Sequence, residues 1–148
     1  MNVGTVLRWN NFPYPQYGDE IKARWFIYLG ETGPFHTPTV AYLPTTTTQL
    51  ERFEAGGPCC NHSHHMFHAD SSCFEENCII DFDSRPYAIE KQELIKNPDI
   101  EIKGQLKRHE LELVYSRILR SSAYPKKIVS DIHESLNREG LTGFKKPK

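Results

Sequence analysis

The densest concentration of chemically versatile side chains lies mid-chain, where Cys59-Cys60-Asn61-His62-Ser63-His64-His65-Met66-Phe67-His68 is followed by Cys73 and Cys78. All four cysteines and most of the seven histidines fall there. Thiolate and imidazole are favoured ligands of Zn²⁺, which binds tetrahedrally, and the spacing of Cys73 and Cys78 is at the upper end of that seen in structural sites. A structural zinc drawn from Cys59 or Cys60, one or two of His62, His64, His65 and His68, and Cys73 or Cys78 would pin a segment with little else to order it. Other roles compete for the same residues. Adjacent cysteines rarely serve equally, Cys78 opens an apolar run and suits buried core, and a flexible insertion is the remaining alternative. Disulfides are not expected in a reducing compartment. With no His-Glu-x-x-His helix and no paired carboxylates, a metal-dependent hydrolase centred on the histidines is the weakest of the enzyme readings.

The elements that must position these groups follow from patterning. A chain of 148 residues, 38% hydrophobic and 25% charged, has the length and composition of one soluble domain, 1–148, with a real core. Its longest apolar runs, 25–29 and 78–80, are far too short to cross a bilayer, and the N-terminus lacks the layout of a signal peptide. A cytoplasmic location without membrane contact is the expectation. The net charge of −1 means that any nucleic-acid binding must come from a local patch. Strands are expected over 3–9, 24–29 and 39–48, then over 78–82, 87–89 and 100–102, with 55–77 as a long excursion between them. Leu111, Val114, Tyr115, Ile118 and Ser122 fall on one face of a helix that should pack on the strands. Pro125 suits the first turn of a second helix over 125–139, Ile128, Ile132 and Leu136 give it an apolar stripe, and Gly140 can end it in the left-handed conformation. The Lys145-Lys146-Pro147-Lys148 tail should fray.

Several short stretches, taken in order, resemble the MazF/PemK family of toxin endoribonucleases. Gly4-Thr5-Val6-Leu7-Arg8-Trp9 and Phe12-Pro13 resemble that family's Gly-led first strand and Phe-Pro turn, and Arg24-Trp25-Phe26-Ile27-Tyr28-Leu29 stands in place of its Arg-Pro-apolar strand. Leu43-Pro44-Thr45-Thr46-Thr47-Thr48-Gln49 is similar to the strand ending in a hydroxyl-rich run, residues 79–90 to the later strand pair, and Ile102-Lys103-Gly104-Gln105-Leu106 to the Gly-x-Leu start of the closing helix. The resemblance covers 3–121, with the His/Cys segment as an insertion. It implies a mainly β fold, a small half-open SH3-like barrel with C-terminal helices. The sequence departs from the family at Trp25, where Pro is usual, at Lys107, where a capping Ser, Thr or Asp is expected, and at Asp81, where some members carry a second Arg.

The resembled chemistry is metal-independent cleavage of single-stranded RNA by attack of the ribose 2′-hydroxyl on its own phosphate. Such a site must hold an unpaired strand, move a proton and stabilise charge on the phosphoryl oxygens. The resemblance assigns charge stabilisation to Arg24, whose fork matches phosphate geometry, and a phosphate hydrogen bond to Thr47, or to Thr48 if the strand slips by one. Only one of the two threonines should face the cleft, since strand neighbours point to opposite sides. Asp83 is placed to orient or relay a proton, and Lys22, Gln49 and Arg52 to hold RNA. Asp19 and Glu20 read as a solvated turn. The bland alternatives are an Arg that is simply solvated and threonines that simply suit a pleated edge. A catalytically silent barrel that binds RNA or protein is therefore the second reading. The family also implies a protein antitoxin as partner and a homodimer.

Overall fold

The structure, a computed structural model, describes residues 1–14 and 21–148; Asp19 and Glu20 lie outside them. Among the described residues, eight strands form three antiparallel sheets. In the first, β1 (Thr5–Trp9) lies between β2 (Arg24–Ile27) and β8 (Ile100–Gln105). The second pairs β3 (Val40–Leu43) with β7 (Tyr87–Glu90), and the third places β6 (Cys78–Asp81) between β4 (Thr46–Thr47) and β5 (His64–Phe67). The sheets are joined through β2: Leu29 N–H donates to the Tyr42 carbonyl at 3.0 Å, and Phe26 bridges to Thr45. The result is a set of antiparallel sheets with three α-helices among the described residues, compatible with a mainly β fold, and the pairing does not close into a barrel.

The strands expected at 3–9, 24–29, 78–82 and 87–89 all form, within a few residues at their ends. Two expectations are corrected. The stretch 39–48 is two strands in different sheets, because Pro44 has no N–H to give a ladder and the chain changes sheets there. The segment 55–77 contributes a strand rather than only an excursion: β5 pairs with β6 from His64 opposite Asp81 to Phe67 opposite Cys78. Two histidines in a row give it no apolar alternation to read. Met66 packs with Phe53, Cys59 and Ile79, while Phe67 enters the main core, so both faces of β5 are used.

Aromatic rings fill the middle of the core. Phe12 meets Trp9 and Phe26 at 4.9 Å and Tyr87 at 5.0 Å, mostly edge-on or tilted as ring quadrupoles prefer. Among the described residues there are three α-helices, one between β7 and β8 and two after β8. The six-residue α1 (Lys91–Lys96) buries only Leu94, too little for a periodic signal. In α2 (Arg108–Ile118), Leu111, Val114, Tyr115 and Ile118 are buried as expected, whereas Ser122 is exposed beyond its end. Lys107 supplies no side-chain cap, but its own N–H donates to Glu110 Oε1 at 2.9 Å. In α3 (Lys126–Arg138), Ile132 and Leu136 are buried, Val129 takes the place expected for Ile128, and Gly140 follows at φ +76°. The tail is tied down at one point, where Tyr115 Oη donates to the Lys145 carbonyl at 2.6 Å.

A buried polar contact holds α3 to the sheet. Asp131 is 2% exposed and accepts hydrogen bonds at 2.7 Å from both Tyr42 Oη and Lys127 Nζ. Asp131→Ala should cost about 2–3 kcal/mol, because the Tyr42 hydroxyl is left buried and unpaired while Lys127 returns to water. Tyr42→Phe should cost only about 1 kcal/mol, since the carboxylate keeps Lys127. Urea unfolding of the two variants should reproduce that order.

Candidate functional site

The Phe26–Thr45 bridge sets the start of β2 beside the threonine run, and the Thr45 hydroxyl fastens the two by donating to the Trp25 carbonyl at 2.9 Å. Between them opens a cavity of about 330 Å³ lined by Arg8, Lys22, Arg24, Trp25, Thr46, Thr47, Thr48 and Gln49, with Phe74, Glu75, Glu76 and Cys78 on other parts of its wall. Arg24, both candidate threonines, Lys22 and Gln49 thus meet in one place. Thr47 and Thr48 both line it, contrary to the expectation of one. The alternation of faces holds only along an extended strand, and β4 ends at Thr47, whose Oγ1 accepts the Gln49 N–H at 3.1 Å and bends the chain.

Three cations, Arg8, Lys22 and Arg24, line the cavity against two carboxylates, Glu75 and Glu76. Lys103 lies 3.4 Å from Glu75 and offsets one of them. Arg8 is the residue that sequence reasoning missed. Its Nε is buried and has no hydrogen-bond partner among the described residues. Antiparallel register, which pairs Arg8 with Trp25 and Trp9 with Arg24, is what brings it beside Arg24, and no local motif reports that pairing. Trp25 packs on Phe74 with ring centroids 5.7 Å apart and carries Lys103 Nζ 5.8 Å from its own centroid.

The chain matches no family model, no curated protein and no solved structure. What the site can do therefore rests on its own geometry.

The other candidates lie elsewhere. Asp83 is exposed in the turn after β6, where its N–H donates to Asp81 Oδ1 at 2.9 Å, and it does not line the cavity. Arg52 sits on the 3-10 turn Leu50–Phe53, with Nη2 3.9 Å from Cys59 Sγ. The His/Cys residues separate into groups. Cys78 lines the cavity, and burial pushes its thiol up to about 12, so it stays protonated at neutral pH; burial also raises the Cys73 thiol. His65 stacks edge-on against Phe67 at 4.9 Å, and burial, with Arg117 nearby, lowers its pKa and keeps it neutral. Cys60 and His68 are exposed, and His64 Nδ1 donates to the His62 carbonyl at 2.8 Å. Among the described residues, the metal-capable group is Cys59, His62 and Asp81, with one ligand atom from each within 4.8 Å of the others. Asp81 had been read only as a departure from a family pattern. Its place in the group depends on the β5–β6 pairing, which turns the histidine segment back onto β6.

Among the described residues, no helix is long and apolar enough to cross a membrane.

Proposed function

We propose that this chain is an endoribonuclease of the MazF/PemK toxin type, cleaving single-stranded RNA without a metal on a half-open SH3-like barrel. The observation that carries the reading is the convergence of Arg24, Thr47 and Thr48 on one cavity that Arg8 and Lys22 also line. Arg24 offers its fork to the phosphoryl oxygens, where charge grows as the 2′-hydroxyl attacks, and a threonine hydroxyl donates to the same phosphate. Lys22 and Gln49 hold the flanking backbone, and the partly exposed Trp25 ring is a surface on which an unpaired base can stack. With Glu75 engaged by Lys103, Glu76 is the carboxylate in the cavity assigned to take the 2′-hydroxyl proton. A protein antitoxin covering this cavity and a homodimer complete the proposal.

A silent RNA- or protein-binding barrel is the second reading, and the position of Asp83 outside the cavity is what favours it. The two part on one experiment, incubation of purified protein with single-stranded RNA in the presence of a chelator. Fragments ending in a 2′,3′-cyclic phosphate are the expected result. Binding without cleavage would leave the silent barrel, and neither binding nor cleavage would remove RNA from the account.

A further inference from the structure

The turn that carries Cys59 and His62 is built tightly onto its neighbours. Cys59 N–H donates to the Arg52 carbonyl at 2.8 Å, and His62 N–H to the Cys59 carbonyl at 3.0 Å. A side chain at Gly57 would place its Cβ 2.5 Å from the Arg52 carbonyl oxygen, so only glycine lets the turn lie this close to the 3-10 turn. Cys59 is thereby wedged, 8% exposed, between Phe53 and Ile79. His62 Nδ1 meets Asp81 Oδ2 at 2.9 Å, and the same carboxylate accepts from Asp83 N–H at 2.9 Å and Ser84 Oγ at 3.1 Å. The Asp81 carboxylate thus has outer donors of the kind that hold a metal ligand in place, and the backbone bonds of the turn fix Cys59 and His62 beside it.

We propose that Cys59, His62 and Asp81 bind one zinc ion, with water in the fourth position, and so clamp the His/Cys segment onto β6. Zinc bonds of about 2.0–2.3 Å place tetrahedral ligands about 3.3–3.7 Å apart. Starting from ligand atoms within 4.8 Å of one another, the sulfur closes by no more than about an ångström and the His62–Asp81 contact opens by less than that. The thiol proton leaves as the ion binds. Arg52 Nη2, 3.9 Å from the sulfur, is then a cationic donor to the zinc-bound thiolate. A mixed sulfur, nitrogen and oxygen set selects a borderline divalent ion such as zinc over calcium or magnesium, which take oxygen alone. This site goes beyond the ribonuclease reading and would bind metal whether or not the chain cleaves RNA.

The test is Co²⁺ titration of the full chain, purified without a histidine tag and stripped of metal, beside elemental analysis of the protein as isolated. Expected are zinc near one equivalent, a near-ultraviolet sulfur-to-cobalt band and the visible bands of a tetrahedral ion. Cys59→Ser should abolish the sulfur band, and Asp81→Asn should weaken cobalt binding about tenfold or more. Cys60→Ser and His68→Ala should leave both unchanged. Absence of cobalt binding by the wild-type chain, a sulfur band surviving Cys59→Ser, or its loss in Cys60→Ser would each overturn the assignment. Should Cys59→Ser fail to fold, His62→Asn and the wild-type sulfur band decide the matter.

Discussion

Arg24→Ala is expected to lower the rate of RNA cleavage by about a hundredfold or more while the protein melts like the wild type. Removal of one donor aimed at developing charge typically costs about 100- to 1,000-fold in rate. Here the loss falls on a residue that lines the same cavity as Thr47 and Thr48. Stability should be spared for a separate reason. The Arg24 side chain is only partly buried and makes no hydrogen bond or ion pair among the described residues, and its place in the sheet depends on backbone pairing with Trp9 that alanine retains. Arg24→Lys is an informative companion: it keeps the charge but loses the planar fork, so activity should recover only in part. Initial rates on a single-stranded substrate, measured beside a thermal melt, check both halves. Undiminished activity in Arg24→Ala would remove Arg24 from the mechanism.

The second large effect is structural. Ile118→Asp should leave the protein unfolded or aggregated, because Ile118 is 0% exposed at the end of α2 and its replacement buries an unpaired carboxylate. Truncating a buried aliphatic side chain alone costs about 2–5 kcal/mol. Adding a buried charge brings the total to a size comparable with the whole stability of a domain, about 5–15 kcal/mol. Ser122→Asp is the control: it lies exposed beyond the end of α2 and should melt like the wild type. Circular dichroism and size-exclusion chromatography distinguish the outcomes. A soluble Ile118→Asp protein with the wild-type melting temperature would mean that this helix presents a different face to the core.

Legibility followed the range of the interaction that decides each feature. The buried face of α2 was readable because Leu111, Val114, Tyr115 and Ile118 repeat within one helix, and the end of α3 because Gly140 meets a local conformational demand. The strands expected over 3–9, 24–29, 78–82, 87–89 and 100–102 formed for the same reason. The β5 strand was hidden because histidine reads as polar although His64 shares a face with the partly buried Met66 and His65 with the buried Phe67. In the candidate site, Arg24, Thr47, Thr48, Lys22 and Gln49 were named from short motifs, but that they share one cavity depends on the contact between β2 and the threonine run, which joins residues about twenty positions apart.

By itself the sequence determined the residue types and the local periods: which stretches alternate, which helix face is apolar, where proline and glycine interrupt, and that thiols and imidazoles crowd one segment. Tertiary structure decided which of those residues meet. Arg8 joined the cavity through its register opposite Trp25. Asp81 joined Cys59 and His62 because β5 folds back along β6, whereas Cys73 and Cys78 stayed outside that group. The physical reason is that side-chain chemistry and backbone preference are properties of neighbouring residues, while register and sheet pairing are set by the mutual burial of segments far apart in the chain.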